Sequence, residues 1–149
     1  MRLSTFTDYS LRMLIFVATA PEGRATIAEV ARSFGISESH LVKVAHGLGR
    51  MGVLANTRGR GGGLRLALPA GEIVVGKVVR ATEVSDIAAE CFDPAHNTCA
   101  ITRVCRLRSA LAQALAAFYQ VLDRHTLADL VANRGELAAV MHLHGGLNR

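Results

Sequence analysis

The chain has 149 residues, half of them hydrophobic, with only three prolines. That length suits one compact domain or a small domain carrying an arm, and the apolar content excludes an intrinsically disordered chain. The net charge of +5 is unevenly placed: residues 1–68 hold 9 Lys and Arg against 4 Asp and Glu, whereas the remainder holds 8 of each. A basic first half favours a polyanion such as DNA, through phosphate contacts and counterion release.

The first predicted element is a helix beginning near Thr7 or Asp8 and ending before Pro21, because Leu11, Leu14, Ile15 and Ala18 share one helical face. Asp8 and Arg12 interrupt the apolar stretch, so the N-terminus reads as an amphipathic helix rather than a secretory signal. No apolar run approaches the ~20 residues a membrane helix requires, and a cytoplasmic location with no membrane partner is expected. A second helix is predicted behind a Thr26 to Glu29 capping box, with Ile27, Val30, Ala31 and Phe34 on its apolar face. Gly35 breaks it, Ser37 is a candidate cap for a third helix, and Leu41, Val44, Ala45 and Leu48 repeat the apolar face.

From Val53 the period changes. Val53-Leu54 and Leu64 to Leu68 are strand-like runs around Thr57 to Gly63, a glycine-rich tip, which together predict a hairpin. Ile73 to Thr82 returns to helix. Ala88 to Cys105 reads as a loop, and Leu107, Leu111, Ala114, Leu115, Phe118 and Leu122 form a long stripe on a helix from about Val104 to Asp123. Little chain remains to cover that stripe, so a homodimer through this helix is expected. Thr126, with Asp129 three residues on, opens a last helix that fades near Gly145.

Three short helices followed by a glycine-tipped hairpin are the order of a winged helix-turn-helix. The expected fold is therefore mostly α with a small β-hairpin wing, a DNA-binding domain over 1–83, a loop over 84–106, and a dimerisation helix with a C-terminal helix over 107–149. The third helix can enter the major groove, and its early positions Ser37, Ser39, His40 and Lys43 are candidate contacts to double-stranded DNA. Arg58, Arg60 and Arg65 in the wing suit phosphate contact or insertion into a narrow minor groove. A dimer bearing two such helices predicts an inverted-repeat operator with half-sites about 10 bp, or a multiple of that, apart.

All three cysteines, Cys91, Cys99 and Cys105, fall in the loop. In a thiol-reducing compartment they argue for metal binding or reactive thiols rather than a disulfide framework, and sulfur donors select zinc, copper(I) or an iron-sulfur cluster. The spacing by itself leaves these open.

Several motifs recur together in one known group: Leu3-Ser4-Thr5-Phe6-Thr7-Asp8-Tyr9 with Leu11-Arg12, Ser39-His40-Leu41-Val42-Lys43, Arg58 to Leu66, Cys91, Cys99, Cys105-Arg106-Leu107, and Thr126 to Leu130. By these the chain resembles, nearly end to end, the winged-helix iron-sulfur regulators of NsrR and IscR type, and most closely the NsrR type. The resemblance implies a homodimeric repressor with one cluster per subunit. It also implies that nitric oxide attacks the cluster, DNA is released, and genes for nitric oxide detoxification are switched on. The three cysteines are then the cluster thiolates, with four-iron preferred over two-iron. IscR-type proteins take a histidine three residues after the last cysteine, but Arg108 stands there. NsrR-type proteins use an aspartate from the other subunit, which corresponds to Asp8; His96, inside the loop, is a lesser candidate.

Two other regulators fit the same residues: one sensing cluster supply or redox state, and a constitutive DNA-binding protein with zinc on Cys91, Cys99, Cys105 and His96. An enzyme is not expected, since no nucleophile-base pair or phosphate loop with its lysine is present.

Overall fold

A computed structural model describes residues 2–57, 59, 62–83 and 89–146, with side chains described as far as Met141. Helix α1 spans Thr5–Thr19. It begins earlier than its apolar period suggests because the Ser4 hydroxyl accepts the Thr7 amide at 3.1 Å and satisfies a first-turn donor. It stops at Ala20, whose extended backbone (φ −61°, ψ 146°) is what the following Pro21 demands.

Helix α2 (Ile27–Phe34) carries the full predicted capping box: Glu29 donates its amide to the Thr26 hydroxyl and accepts the Thr26 amide at 2.6 Å. Gly35 closes it in the left-handed conformation, φ 63°. Helix α3 (Glu38–Arg50) follows with Ser37 at the N-cap position, although the Ser37 hydroxyl makes no capping bond and lies 3.3 Å from that of Ser39.

The hairpin pairs β1 (Leu54–Thr57) with β2 (Gly63–Leu66) antiparallel, Leu54 opposite Leu66 and Thr57 opposite Gly63. Met13, Leu14, Val30, Leu41, Leu48 and Leu64 meet in one core with almost no solvent contact. This core joins the first three helices to the wing.

Helix α4 (Val75–Thr82) starts later than its apolar spacing predicts. Ile73 and Val74 stay extended because they pair with a remote segment: Leu127 donates to Ile73 O at 2.8 Å, and Val75 to His125 O at 2.9 Å. Helix α5 (Arg106–Asp123) runs as expected. Its C-terminal half is tied to α4, where Arg80 grips Asp123 through two bonds of 2.6 and 2.7 Å and stacks over Tyr119. A side chain at Gly76 would collide with the Asp123 carboxylate, so a glycine is what permits this approach.

The single last helix expected from Thr126 is two, α6 (Leu127–Leu130) and α7 (Arg134–Gly146). Thr126 and Asp129 form the predicted box. Asn133 then restarts the helix, its carbonyl accepting from Leu137 and its side-chain amide donating to Glu136. Helix α7 packs on α1 and α2, where Ser33 Oγ donates to Met141 O and Arg134 to Ala20 O.

Candidate nucleic-acid interface and cysteine loop

Burying Leu41, Val44, Ala45 and Leu48 leaves the opposite face of α3 to solvent. Ser39, Lys43, His46 and Arg50 line that face, with Val42, 53% exposed, at its flank. The stripe combines hydroxyl and imidazole groups suited to base edges with cations suited to phosphates. Of the predicted contacts, Ser37, Ser39 and Lys43 are exposed as expected. His40 is exposed but turned towards α1, its ring centroid 6.3 Å from that of Tyr9. His46 and Arg50 escaped the sequence reading, although extending the helical period from Ser39 and Lys43 reaches both.

Arg65 donates through Nη1 to Glu22 O at 3.0 Å. Arg58 and Arg60 lie outside the described residues. Arg24, which sequence reasoning passed over, donates to Gly62 O at 3.3 Å and so belongs to the wing.

At the opposite end of α1, Asp8 lies in the first turn, half-buried, and Arg12 holds both its oxygens at 2.9 and 3.0 Å. Arg12 in turn lies over Phe34, the last residue of α2. The turn before Asp8 is bolted to α4. Thr7 donates to Thr82 Oγ1 at 2.9 Å, both side chains being buried, and the Ser4 amide donates to Glu83 at 2.8 Å. Burial works to raise the Glu83 carboxyl, but hydrogen bonds from Thr7 and Ser4 outweigh it and hold the group below its ordinary value of 4.5.

The cysteine loop is braced by its own polar groups. Glu90 accepts the Thr98 amide and hydroxyl, which lowers its pKa. Asn97 accepts the Cys99 amide at 3.1 Å, Thr102 donates to Cys99 O at 2.8 Å, and Arg108 donates to Cys91 O at 3.2 Å. Asp93 pairs with His96 Nδ1 at 2.7 Å, a contact that lowers the Asp93 pKa and leaves Nε2 of an exposed imidazole outward. All three cysteines are free and half-buried. Among the described residues, however, no three His, Cys, Asp or Glu side chains are gathered as a metal site. The loop thus supplies three thiols without converging them within one protomer.

Residues 3–133 match the family of iron-dependent transcriptional regulators named Rrf2. The chain belongs to the Rrf2 family. It is 46% identical to the HTH-type transcriptional regulator NsrR of Geobacillus kaustophilus (strain HTA426), over 95% of this chain and 97% of that one. With the NsrR of Bacillus subtilis (strain 168) it shares 43% identity, over 96% and 99% of the two chains. Among solved structures, T. potens IscR superposes with a TM-score of 0.71 at 25% identity, covering 89% of this chain and 88% of that one. The oxidized form of Staphylococcus aureus CymR gives 0.68 at 26% identity, covering 87% and 95%.

The resemblance to NsrR-type regulators and the winged-helix fold read from the sequence are therefore both met. Rrf2 proteins are regulators rather than enzymes. Their iron dependence suits the donor set: three free thiols in one braced loop are soft ligands of the kind that hold iron-sulfur clusters. No helix among the described residues is long and apolar enough to cross a membrane.

Proposed function

We propose that the chain is a cytoplasmic transcriptional repressor that binds an inverted-repeat operator as a homodimer and responds to nitric oxide. Cys91, Cys99 and Cys105 would hold an iron-sulfur cluster, four-iron in preference to two-iron, with Asp8 of the partner subunit as the fourth donor. When bound, the cluster supplies iron that reacts with nitric oxide.

The observation that carries this reading is where the thiols stand. Cys105 stands at the N-cap position of α5, and Val104 just before the helix with Leu107, Leu111, Ala114, Phe118 and Val121 on it alternate three and four residues apart. Val104 is 81% exposed and Leu107 65%. That spacing is the seam of a helix pair, and a second copy of α5 would cover it. The sensing loop therefore opens directly into the surface at which the dimer would form.

The residues on either side supply the coupling. An aspartate oxygen exchanges more readily than a thiolate, so Asp8 is the labile member of the ligand set. Asp8 also sits on α1, which packs against α3 and β2 and is pinned through Thr7 and Ser4 to the end of α4. A displacement of the first turn of α1 is thus transmitted through packed core to the recognition helix and the wing.

The test is anaerobic purification with iron, sulfide and visible absorbance measured together. Single changes of Cys91, Cys99 or Cys105 to Ala should abolish or severely reduce the cluster. Asp8→Ala should retain it on three thiolates but lose it sooner. Full iron and sulfide content in all three cysteine variants would remove these residues from the ligand set. The Asp93–His96 pair favours a second reading, zinc on the cysteines and His96, because metal-binding imidazoles commonly carry such a carboxylate on the other nitrogen. That protein would be colourless and its DNA binding indifferent to nitric oxide.

A further inference from the structure

The segment joining α1 to α2 and the base of the wing are stitched together by reciprocal bonds. Ala25 donates to Leu64 O at 3.0 Å and Leu64 to Ala25 O at 2.7 Å, so Ala25 pairs beside β2 as a one-residue third strand. Outside this pair lie two arginines reaching in opposite directions. Arg24 Nη1, from the connector, donates to Gly62 O in the wing, and Arg65 Nη1, from the wing, donates to Glu22 O in the connector.

Two backbone features are shaped to this contact. Glu22 has φ 56° and ψ 13°, and it is the non-glycine residue with positive φ among those described. That left-handed conformation costs energy for a residue with a side chain and persists where its surroundings hold it; its carbonyl is the one Arg65 binds. Gly63, at φ 143°, brings the wing so close to the connector that a Cβ there would sit 2.8 Å from Ala25 O.

We propose that Arg24 and Arg65 are positioning residues that clasp the wing to the α1–α2 connector and so preset the angle at which the hairpin meets DNA. The proposal rests on the reading that the wing contacts an operator. It gives Arg65 a positioning role that does not depend on phosphate or minor-groove contact, because Nη1, one of the guanidinium's donors, bonds a backbone carbonyl of the connector. A two-stranded hairpin is marginal by itself. Fixing it before binding lowers the ordering cost at the moment of association, and the connector continues directly from α1, so the clasp ties the wing to the helix that bears Asp8.

The experiment compares Arg65→Ala with Arg65→Gln, and both with Arg24→Ala and Lys43→Ala, on a DNA duplex selected from a random library by the wild-type protein. Arg65→Ala and Arg65→Gln carry the same charge, so any difference between them reports the hydrogen bond and not phosphate attraction. Arg65→Ala and Arg24→Ala should each bind about three- to tenfold more weakly with the salt slope unchanged, while Arg65→Gln, which keeps an amide donor, recovers part of the loss. Lys43→Ala should instead lower the slope by about one unit. In the protein without DNA, amide exchange at Ala25 and Leu64 should quicken in Arg65→Ala, a readout that stands even where affinity is hard to measure.

Equal affinity of Arg65→Ala and Arg65→Gln, both with a slope reduced by about one, would make Arg65 a phosphate contact and overturn the proposal. So would wild-type affinity and wild-type exchange in Arg65→Ala. A wild-type protein that selects no duplex sinks the DNA-binding reading itself, and the clasp's function with it.

Discussion

The winged-helix head and the α5 arm of this chain are built to different degrees of completeness. In the head, Met13, Val30, Leu41 and Leu48 are wholly buried, and the caps of α1 and α2 are satisfied by their own residues. In the arm, Tyr119 is the buried residue of α5, while Ile101, Val104, Leu107 and Val121 face solvent. A contiguous apolar face of this kind marks an interaction surface. On the proposed function, a single copy would already contain the DNA-contacting face, whereas the sensor and the spacing of the half-sites would be completed only by a second copy.

The largest expected effect separates the two regions directly. Leu41→Ala should cost about 2–5 kcal/mol of stability, since it empties the core under the recognition helix, and should unfold the head. Leu107→Asp places a charge on the exposed seam. It should leave the helical content intact while turning the dimer into a monomer by sedimentation and lowering operator affinity about a hundredfold through loss of the second half-site. A Leu107→Asp protein that remains dimeric would mean the arm is not the dimer surface, and the comparison fails.

A smaller effect sharpens the map of the head. Lys43→Ala should lower the slope of log affinity against log salt by about one unit, and Arg50→Ala should do the same, because both lie on the outward stripe of α3. His40→Ala should change the slope less than either, its ring being directed at Tyr9. Equal slopes for all three variants and the wild type would move the DNA surface away from this face.

Much of the head was legible in the sequence because its determinants are local. The Thr26–Glu29 box, the Gly35 stop and the apolar faces of α2 and α3 each lie within a few residues of one another and appear as read, whereas in α1 only Leu14 of the expected face is fully buried and Met13, Phe16 and Val17 go deeper than Leu11, Ile15 and Ala18. What escaped depends on distant partners. Ile73 and Val74 look helical by spacing but are held extended by His125 and Leu127. Arg65 has the residue type and setting of a DNA contact, yet its acceptor is a backbone carbonyl 43 positions away, which no composition or spacing announces. In the loop, the thiols could be recognised as a set from sequence. Their bracing by Glu90, Asn97, Thr102 and Arg108 is a matter of side-chain geometry, and gathering of metal ligands couples to binding the metal itself.

The smallest effect concerns the joint between the two regions. Since Glu83 is held below 4.5 in the folded chain, its contribution to stability is present above that value and is lost as pH falls through the folded pKa. Glu83→Gln should therefore be slightly less stable than wild type near neutrality and lose less on acidification. The melting temperature followed from about pH 6 down to about pH 3 checks this. Parallel curves would mean that Glu83 does not bind the start of α1 as a carboxylate.

The central claim of the proposed function is that sensing and DNA reading are one event. The most direct measurement is anaerobic titration of the operator complex with nitric oxide, following visible absorbance and DNA mobility in the same samples. The account predicts that the cluster's visible band and the bound DNA are lost together, with the same stoichiometry. A band that changes stoichiometrically while operator affinity stays constant would contradict it, and would leave a winged-helix repressor answering to another signal.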